Sequence, residues 1–197
     1  AEDWLKRVAK ATKGAPFAAE STLFQRQDGP RADRPQHAPW GVFARVDHHD
    51  VTTAHRQAVE DTESGVTGLV IPSPAQVAAL EHMALHRIAL RNEGGDLGAE
   101  ALRHLVGRLP IDPARLTVDF GVHDPELARL IHAQGFTGPL MRADGRSFHA
   151  QGLDDGQELG AVLATGIAQL RQLTFLDDAA LAGAISITLA ATQDMFT

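Results

Sequence analysis

From Trp40 onward, short apolar runs alternate with segments that have the residue spacing of helices. The predicted strands are 41–46, 68–71, 87–90, 116–120, 139–142 and 185–189. Helical patterns lie between them at 52–64, 74–84, 97–107, 124–134 and 154–173. Strict alternation of strand and helix predicts parallel strands joined by crossover helices. The pattern therefore predicts an α/β fold, either a (β/α) barrel or an open six-stranded sheet.

Several helix boundaries are marked by residue type. Ser73 and Asp124 each stand before a proline, the arrangement of an N-cap followed by proline at the first helical position. Gly65 and Gly135 stand where C-caps are expected. These signals support helices that begin near 74 and 125.

The number of strand–helix units is lower than a complete barrel requires. A closed eight-unit barrel usually needs about 250 residues, whereas this chain has 197. We interpret residues 40–197 as a parallel TIM-barrel-type domain truncated to about six units. Residues 1–39 are predicted to form a helix at 2–12 and then an extended polar arm.

Composition excludes several classes of protein. The net charge is −7 and the 18 Lys and Arg residues are scattered, which argues against nucleic-acid binding. No apolar run approaches the roughly 18 residues needed to span a bilayer, so we expect no membrane span. The absence of cysteine and of a signal-peptide pattern predicts a cytoplasmic protein without disulfides or thiolate sites. The absence of tyrosine excludes any mechanism that needs a phenol.

A polar cluster at residues 47–50 follows the first predicted strand, at the end where barrel sites are built. Imidazole and carboxylate groups in such a cluster are typical metal ligands. One hypothesis is therefore a metal-dependent barrel hydrolase that uses Asp47, His49, His55 and His123. The alternative is a solvated loop that leads into a helix with Asp50 as its N-cap.

His149 follows the fifth predicted strand, which also places it at the catalytic end of a barrel. An imidazole at that position can donate a hydrogen bond to a substrate carbonyl. The alternative is a loop histidine without a chemical role.

The run from Phe148 to Thr174 resembles the methylmalonyl-CoA mutase family. The motifs that carry the resemblance are His149-Ala150-Gln151-Gly152-Leu153, Gln157-Glu158-Leu159, Leu163-Ala164-Thr165-Gly166 and Leu170-Arg171. Shorter stretches are similar to the family's arm, first strand and sixth strand; they are Lys13–Phe17, Pro39-Trp40 and Gln193–Phe196. The resemblance follows the family's order along nearly the whole chain.

The resemblance implies an adenosylcobalamin-dependent isomerase system that interconverts methylmalonyl-CoA and succinyl-CoA. In that family a barrel holds the acyl-CoA and a separate domain supplies the cobalamin, which carries the radical chemistry. His149 matches the family's catalytic histidine. The positions that the resemblance places on the substrate side are His149, Gln151 and Arg142.

Departures from the family point to its small, non-catalytic subunit. Phe148 stands where the family has tyrosine, and Gly121 stands where catalytic chains have a substrate-facing glutamine. The string from Asp47 to Thr52 matches the family's Asp-x-His-x-x-Gly cobalamin motif only in part, and the chain ends where the family continues toward its cobalamin domain. We therefore expect adenosylcobalamin in the family complex and not on this chain alone.

The same resemblance implies partners. We expect a catalytic mutase large subunit or a second copy of this chain, as a homodimer, with an acyl-CoA as a ligand. A third hypothesis is a simple binder of an acyl-CoA or a small anion at the mouth of the barrel.

Overall fold

A computed structural model describes residues 41–190. The predicted N-terminal helix, the arm up to residue 39 and the stretch Gln193–Phe196 lie outside the described residues.

The described chain is an α/β fold with parallel strands, as predicted. The strands are β1 (Phe43–Arg45), β2 (Gly68–Ile71), β3 (Ala89–Asn92), β4 (Thr117–Asp119), β5 (Met141–Asp144) and β6 (Ile185–Thr188). The α-helices are α1 (Val51–Glu63), α2 (Gly95–Gly107), α3 (Pro125–Ala133), α4 (Arg146–Ala150), α5 (Asp155–Leu170) and α6 (Asp178–Leu181). Short 3-10 helices span Pro74–Leu80, Leu85–Arg87 and Pro113–Arg115.

Capping residues fix the starts of the helices. Asp50 accepts a hydrogen bond from the Thr53 amide at the start of α1, and Asp124 does the same for the Glu126 amide at α3. Helix α5 begins with a capping box in which Asp154 and Gln157 exchange hydrogen bonds. These contacts satisfy amide groups that the first helical turn leaves without partners.

The helix predicted at 74–84 begins at Pro74, as expected, but is shorter than predicted. The segment is a 3-10 helix that ends at Leu80, and the Ser73 side chain makes no capping bond to its backbone. The Glu81 amide bonds to the Ala78 carbonyl, three residues back, and His82 adopts a left-handed φ of 68°. Tight turns of this kind run only a few residues.

The six strands lie in two ladders in chain order. Strands β1 to β4 form one sheet in the order β1-β2-β3-β4, and β5 pairs with β6. A closed barrel is not shown in the described residues; β4 ends at Asp119, and Gly121 adopts a left-handed φ of 56°. Beyond Gly121, the Val122 amide bonds to the Leu140 carbonyl at 2.9 Å. The two ladders are therefore connected by backbone hydrogen bonds.

The two faces of the strands differ in chemistry. Ala44, Leu69, Leu90 and Val118 lie side by side in register, and the last three are buried. They belong to a core of buried apolar residues that includes Leu102 of α2. Burying a Val or Leu side chain contributes about 1.5–3 kcal/mol, so this face holds the helices on the sheet.

The residues that directly follow these four in each strand form the opposite face of the sheet. Arg45, Val70, Arg91 and Asp119 lie in register across β1 to β4. The Arg91 guanidinium donates to the Thr188 hydroxyl of β6 at 2.6 Å, so this face meets the matching face of the second ladder. We call it the inner face. None of the helices in residues 41–190 is long and apolar enough to cross a membrane.

Candidate functional site

Charged side chains concentrate on the inner face and just beyond the carboxyl ends of the strands. We call this set the charged layer; its members are Arg45, Arg91, Glu93, Asp119, Arg142, Asp144 and Arg146. Parallel strands place their carboxyl ends at one edge, where α/β proteins build ligand sites. The charged layer is therefore the candidate site.

Arg142 on β5 and Asp119 on β4 form the buried part of the charged layer. Arg142 Nη2 lies 2.9 Å from Asp119 Oδ2, and the Arg142 side chain is only 6% exposed. Arg142 Nη1 also donates to the Asn92 carbonyl at 2.8 Å, and the Ser186 hydroxyl donates to Asp119 Oδ1 at 3.0 Å. The pair thus ties β3, β4, β5 and β6 together through the inner face.

Three arginines converge on Glu93, the residue that follows β3. Arg45 Nη1 lies 2.6 Å from Glu93 Oε2, Arg146 Nη1 lies 2.8 Å from Oε1, and Arg91 Nε lies 3.5 Å from Oε1. Arg146 is also bonded to both oxygens of Asp144. Because Arg45 lies on β1 and Arg146 on α4, Glu93 connects the two ladders across the inner face.

These contacts shift the pKa values of the charged layer. Burial raises the pKa of Glu93, but hydrogen bonds from Arg45 and Arg146 hold the net value below the ordinary 4.5. The hydrogen bond from the Arg146 side chain lowers the pKa of Asp144 below its ordinary 3.8. Burial lowers the pKa of Arg91, and the neighbouring Arg142 lowers it further.

Acid is therefore expected to destabilise the protein through Glu93 and Asp144. Their folded pKa values lie below the ordinary values, so their contribution is present at neutral pH and is lost as the pH falls through the folded values. Urea unfolding across about pH 5 to 3 should show a falling free energy of unfolding, and Glu93→Gln should reduce that dependence. If the free energy of unfolding falls with pH equally in wild type and Glu93→Gln, Glu93 does not contribute to the acid sensitivity.

His149 lies on α4 beside a buried carboxylate. Its Nδ1 is 3.2 Å from Glu158 Oε2 of α5, and the Glu158 side chain is only 4% exposed. Glu158 Oε1 accepts a hydrogen bond from the Ala190 amide at 2.8 Å. Because Nδ1 is buried, the exposed third of the histidine side chain lies on its other atoms. Nδ1 therefore faces the Glu158 carboxylate without a hydrogen bond in the described residues, and the rest of the imidazole is accessible.

The three residues that the family resemblance places on the substrate side do not form one binding surface. Arg142 is engaged by Asp119 and Asn92 on the inner face. Gln151 is exposed and donates to the Ser147 carbonyl of its own helical turn at 2.9 Å. His149 contacts Glu158. No hydrogen bond or ion pair of the structure joins the side chains of any two of them.

The proposed metal ligands are also not brought together. His55 Nδ1 donates to the Ala79 carbonyl at 2.8 Å, and the exposed His123 approaches Asp96. Asp47 lies 3.9 Å from Arg45, and His49 is exposed on the loop before α1. In residues 41–190, no group of three or more His, Asp or Glu side chains is arranged to hold a metal ion.

Most of the charged layer was missed by sequence reasoning. Arg45, Arg91 and Asp119 lie within strands β1, β3 and β4, where each follows an apolar residue. Only β4, with the sequence Thr-Val-Asp, shows the period-two alternation that assigns residues to a face, so the signal in the sequence was weak. The contact between Glu93 and Arg146 spans 53 residues and has no local signal.

Comparison with known proteins identifies no relative: the sequence matches no protein-family model and no curated protein.

Proposed function

We propose that this chain is a methylmalonyl-CoA mutase-related protein of the small, non-catalytic kind. It would act by assembling with a catalytic mutase chain that uses adenosylcobalamin to interconvert methylmalonyl-CoA and succinyl-CoA. The observation that carries the proposal is the motif run from Phe148 to Thr174, which forms α4 and α5 directly after β5. Within that run His149 keeps the family's position, whereas the chain has no tyrosine.

The arrangement of strands supports a barrel-type fold for this proposal. All paired strands are parallel and lie in chain order, without the reversal that marks a doubly wound sheet. The inner face carries Arg91, Asp119 and Arg142, whereas a doubly wound sheet is apolar on both faces. Side chains from β3 and β6 meet across the inner face, as they do in a curved sheet.

The occupancy of the inner face supports a role without catalysis. In the family, the acyl-CoA lies along the barrel axis. If these strands form such a barrel, the Arg142–Asp119 pair and the Arg91–Thr188 hydrogen bond lie in that space. An acyl-CoA chain would have to break these contacts, and a buried charge left without its partner is strongly destabilising.

Exposed apolar side chains support assembly with a partner. Ile187 of β6 is 54% exposed, and Leu159, Leu163 and Ile167 are exposed at four-residue spacing along α5. In residues 41–190, β6 pairs only with β5, so its other edge keeps unpaired backbone groups. Clustered apolar exposure of this kind marks interaction surfaces.

The proposal predicts that the chain alone does not catalyse the isomerisation. Purified protein with adenosylcobalamin and methylmalonyl-CoA should form no succinyl-CoA above a no-protein control, because His149 is the one catalytic position that matches and oriented groups act as a unit. A catalytic mutase chain assayed in parallel is the positive control. Turnover that His149→Ala abolishes would contradict the proposal.

A measurement of cobalamin binding is a second test of the proposed non-catalytic role. The sequence contains no complete Asp-x-His-x-x-Gly motif, so the chain alone should lose added cobalamin on desalting. A retained cobalamin absorption spectrum with the base displaced from cobalt would count against a small-subunit role.

A further inference from the structure

We propose that the charged layer binds a phosphate group, with Arg91 and Arg45 as its principal donors. This site is independent of the proposed assembly with a mutase chain. It rests on the distribution of charge and of hydrogen-bond acceptors around Glu93.

Arg91 is the least compensated cation of the charged layer. Glu93 is its one salt-bridge partner in residues 41–190, at 3.5 Å, and two other arginines lie closer to the same carboxylate. Arg91 Nε is buried without a hydrogen-bond partner, and Nη2 donates to Thr188. Within the described residues the structure gives Nη1 no hydrogen bond. A guanidinium in this state has donor capacity left for an incoming anion.

The charge balance of the layer also favours an anion. Four guanidinium groups face three carboxylates, those of Glu93, Asp119 and Asp144. Asp47 lies 3.9 Å from Arg45, but its side chain is 61% exposed, so water screens its charge. Because Arg142 pairs with Asp119 and Arg146 pairs with Asp144, the excess positive charge lies on Arg45 and Arg91, which share Glu93. Arg142 repels Arg91, whereas Asp119 and Glu93 attract it.

Accessibility and geometry select the class of ligand. The side chains of Arg45, Arg91 and Arg146 are 50%, 26% and 44% exposed, so solvent reaches part of each side chain around Glu93, although Arg91 Nε itself is buried. Arg45 uses only Nη1 on Glu93 and keeps further donors. A tetrahedral phosphate presents oxygens in several directions and can accept from two guanidinium groups while Glu93 keeps its own bonds.

Isothermal titration of the full chain with inorganic phosphate, at constant ionic strength maintained with chloride, tests this site. Saturable binding is expected, and Arg91→Gln should weaken it about tenfold or more because a charge-assisted hydrogen bond is lost. Arg45→Gln should weaken phosphate binding as well. The Arg45 side chain is half-exposed, so we expect this variant to fold, and it tests the phosphate site if Arg91→Gln does not fold. Arg129→Gln is the matched control, since Arg129 is an exposed arginine paired with Glu126 on α3.

Three outcomes would overturn the site: no saturable binding, equal binding by wild type, Arg91→Gln and Arg45→Gln, or equal binding of acetate and phosphate. The last would show that a planar carboxylate suffices and that the tetrahedral arrangement is not recognised. None of these outcomes bears on succinyl-CoA formation or on assembly with a mutase chain.

Discussion

Replacing Arg142 by alanine is expected to lower the free energy of unfolding by about 3 kcal/mol, the lower end of the range for breaking a buried ion pair. The substitution leaves Asp119 and the Asn92 carbonyl without their guanidinium partner. It also opens space beside Gly121, where an added Cβ would lie 2.7 Å from the Arg142 guanidinium carbon. A loss of this size is a large share of the roughly 5–15 kcal/mol that holds a typical domain folded.

Urea unfolding of three variants separates charge from packing at this position. Arg142→Met keeps most of the side-chain volume. Its decrease in the free energy of unfolding therefore measures the cost of leaving the Asp119 carboxylate without a charged partner. Arg129→Ala breaks the exposed pair with Glu126 and should cost about 0.5 kcal/mol or less. If Arg142→Ala costs no more than Arg129→Ala, the pair does not hold the inner face together.

Replacing Gly138 by alanine is expected to destabilise the protein by about 2–4 kcal/mol. Gly138 lies between α3 and β5, and an added Cβ would clash with the Val118 carbonyl oxygen of β4. The backbone of residue 138 fixes the position of the Cβ, and the carbonyl oxygen belongs to the main chain, so no side-chain rotation relieves the clash. The two segments must separate, which strains the nearby hydrogen bond from the Phe120 amide to the Pro139 carbonyl.

Gly160 provides the matched control for Gly138. It lies inside α5, and nothing lies within 4 Å of the Cβ that alanine would add. Gly160→Ala should therefore raise stability by about 0.5–1 kcal/mol, since alanine favours the helix interior. Thermal unfolding of both variants should shift in opposite directions. A Gly138→Ala variant with wild-type stability would mean that the packing of β4 against residue 138 is looser than the structure indicates.

The alternation of apolar runs was sufficient to predict the strands because one face of each strand packs on helices. β2 occupies residues 68–71 as predicted, with Leu69 and Ile71 buried. β3 and β5 begin two residues later than predicted. The prediction followed apolar residues, whereas the actual strands continue through Arg91 and Arg142, which find partners on the inner face.

The site was harder to predict because its partners come from distant parts of the chain. The Arg91–Thr188 contact joins residues 97 positions apart. No local pattern indicates that pairing, which depends on the way the two ladders meet. His149 was identified by its place after a predicted strand, yet its contact with Glu158 was not, since it depends on how α4 turns into α5.

The most direct test of the assembly role is light scattering after size exclusion at micromolar concentration. The first sample is the chain of 21.1 kDa alone, and the second is its mixture with a catalytic methylmalonyl-CoA mutase chain from the same organism. In the third sample the Ile187→Asp variant replaces the wild-type chain in that mixture. We expect a complex whose mass is the sum of the two chains. We expect Ile187→Asp to abolish that complex while circular dichroism shows that the fold is retained. Elution of the wild-type chain near 21.1 kDa, separate from the catalytic chain, would contradict the account.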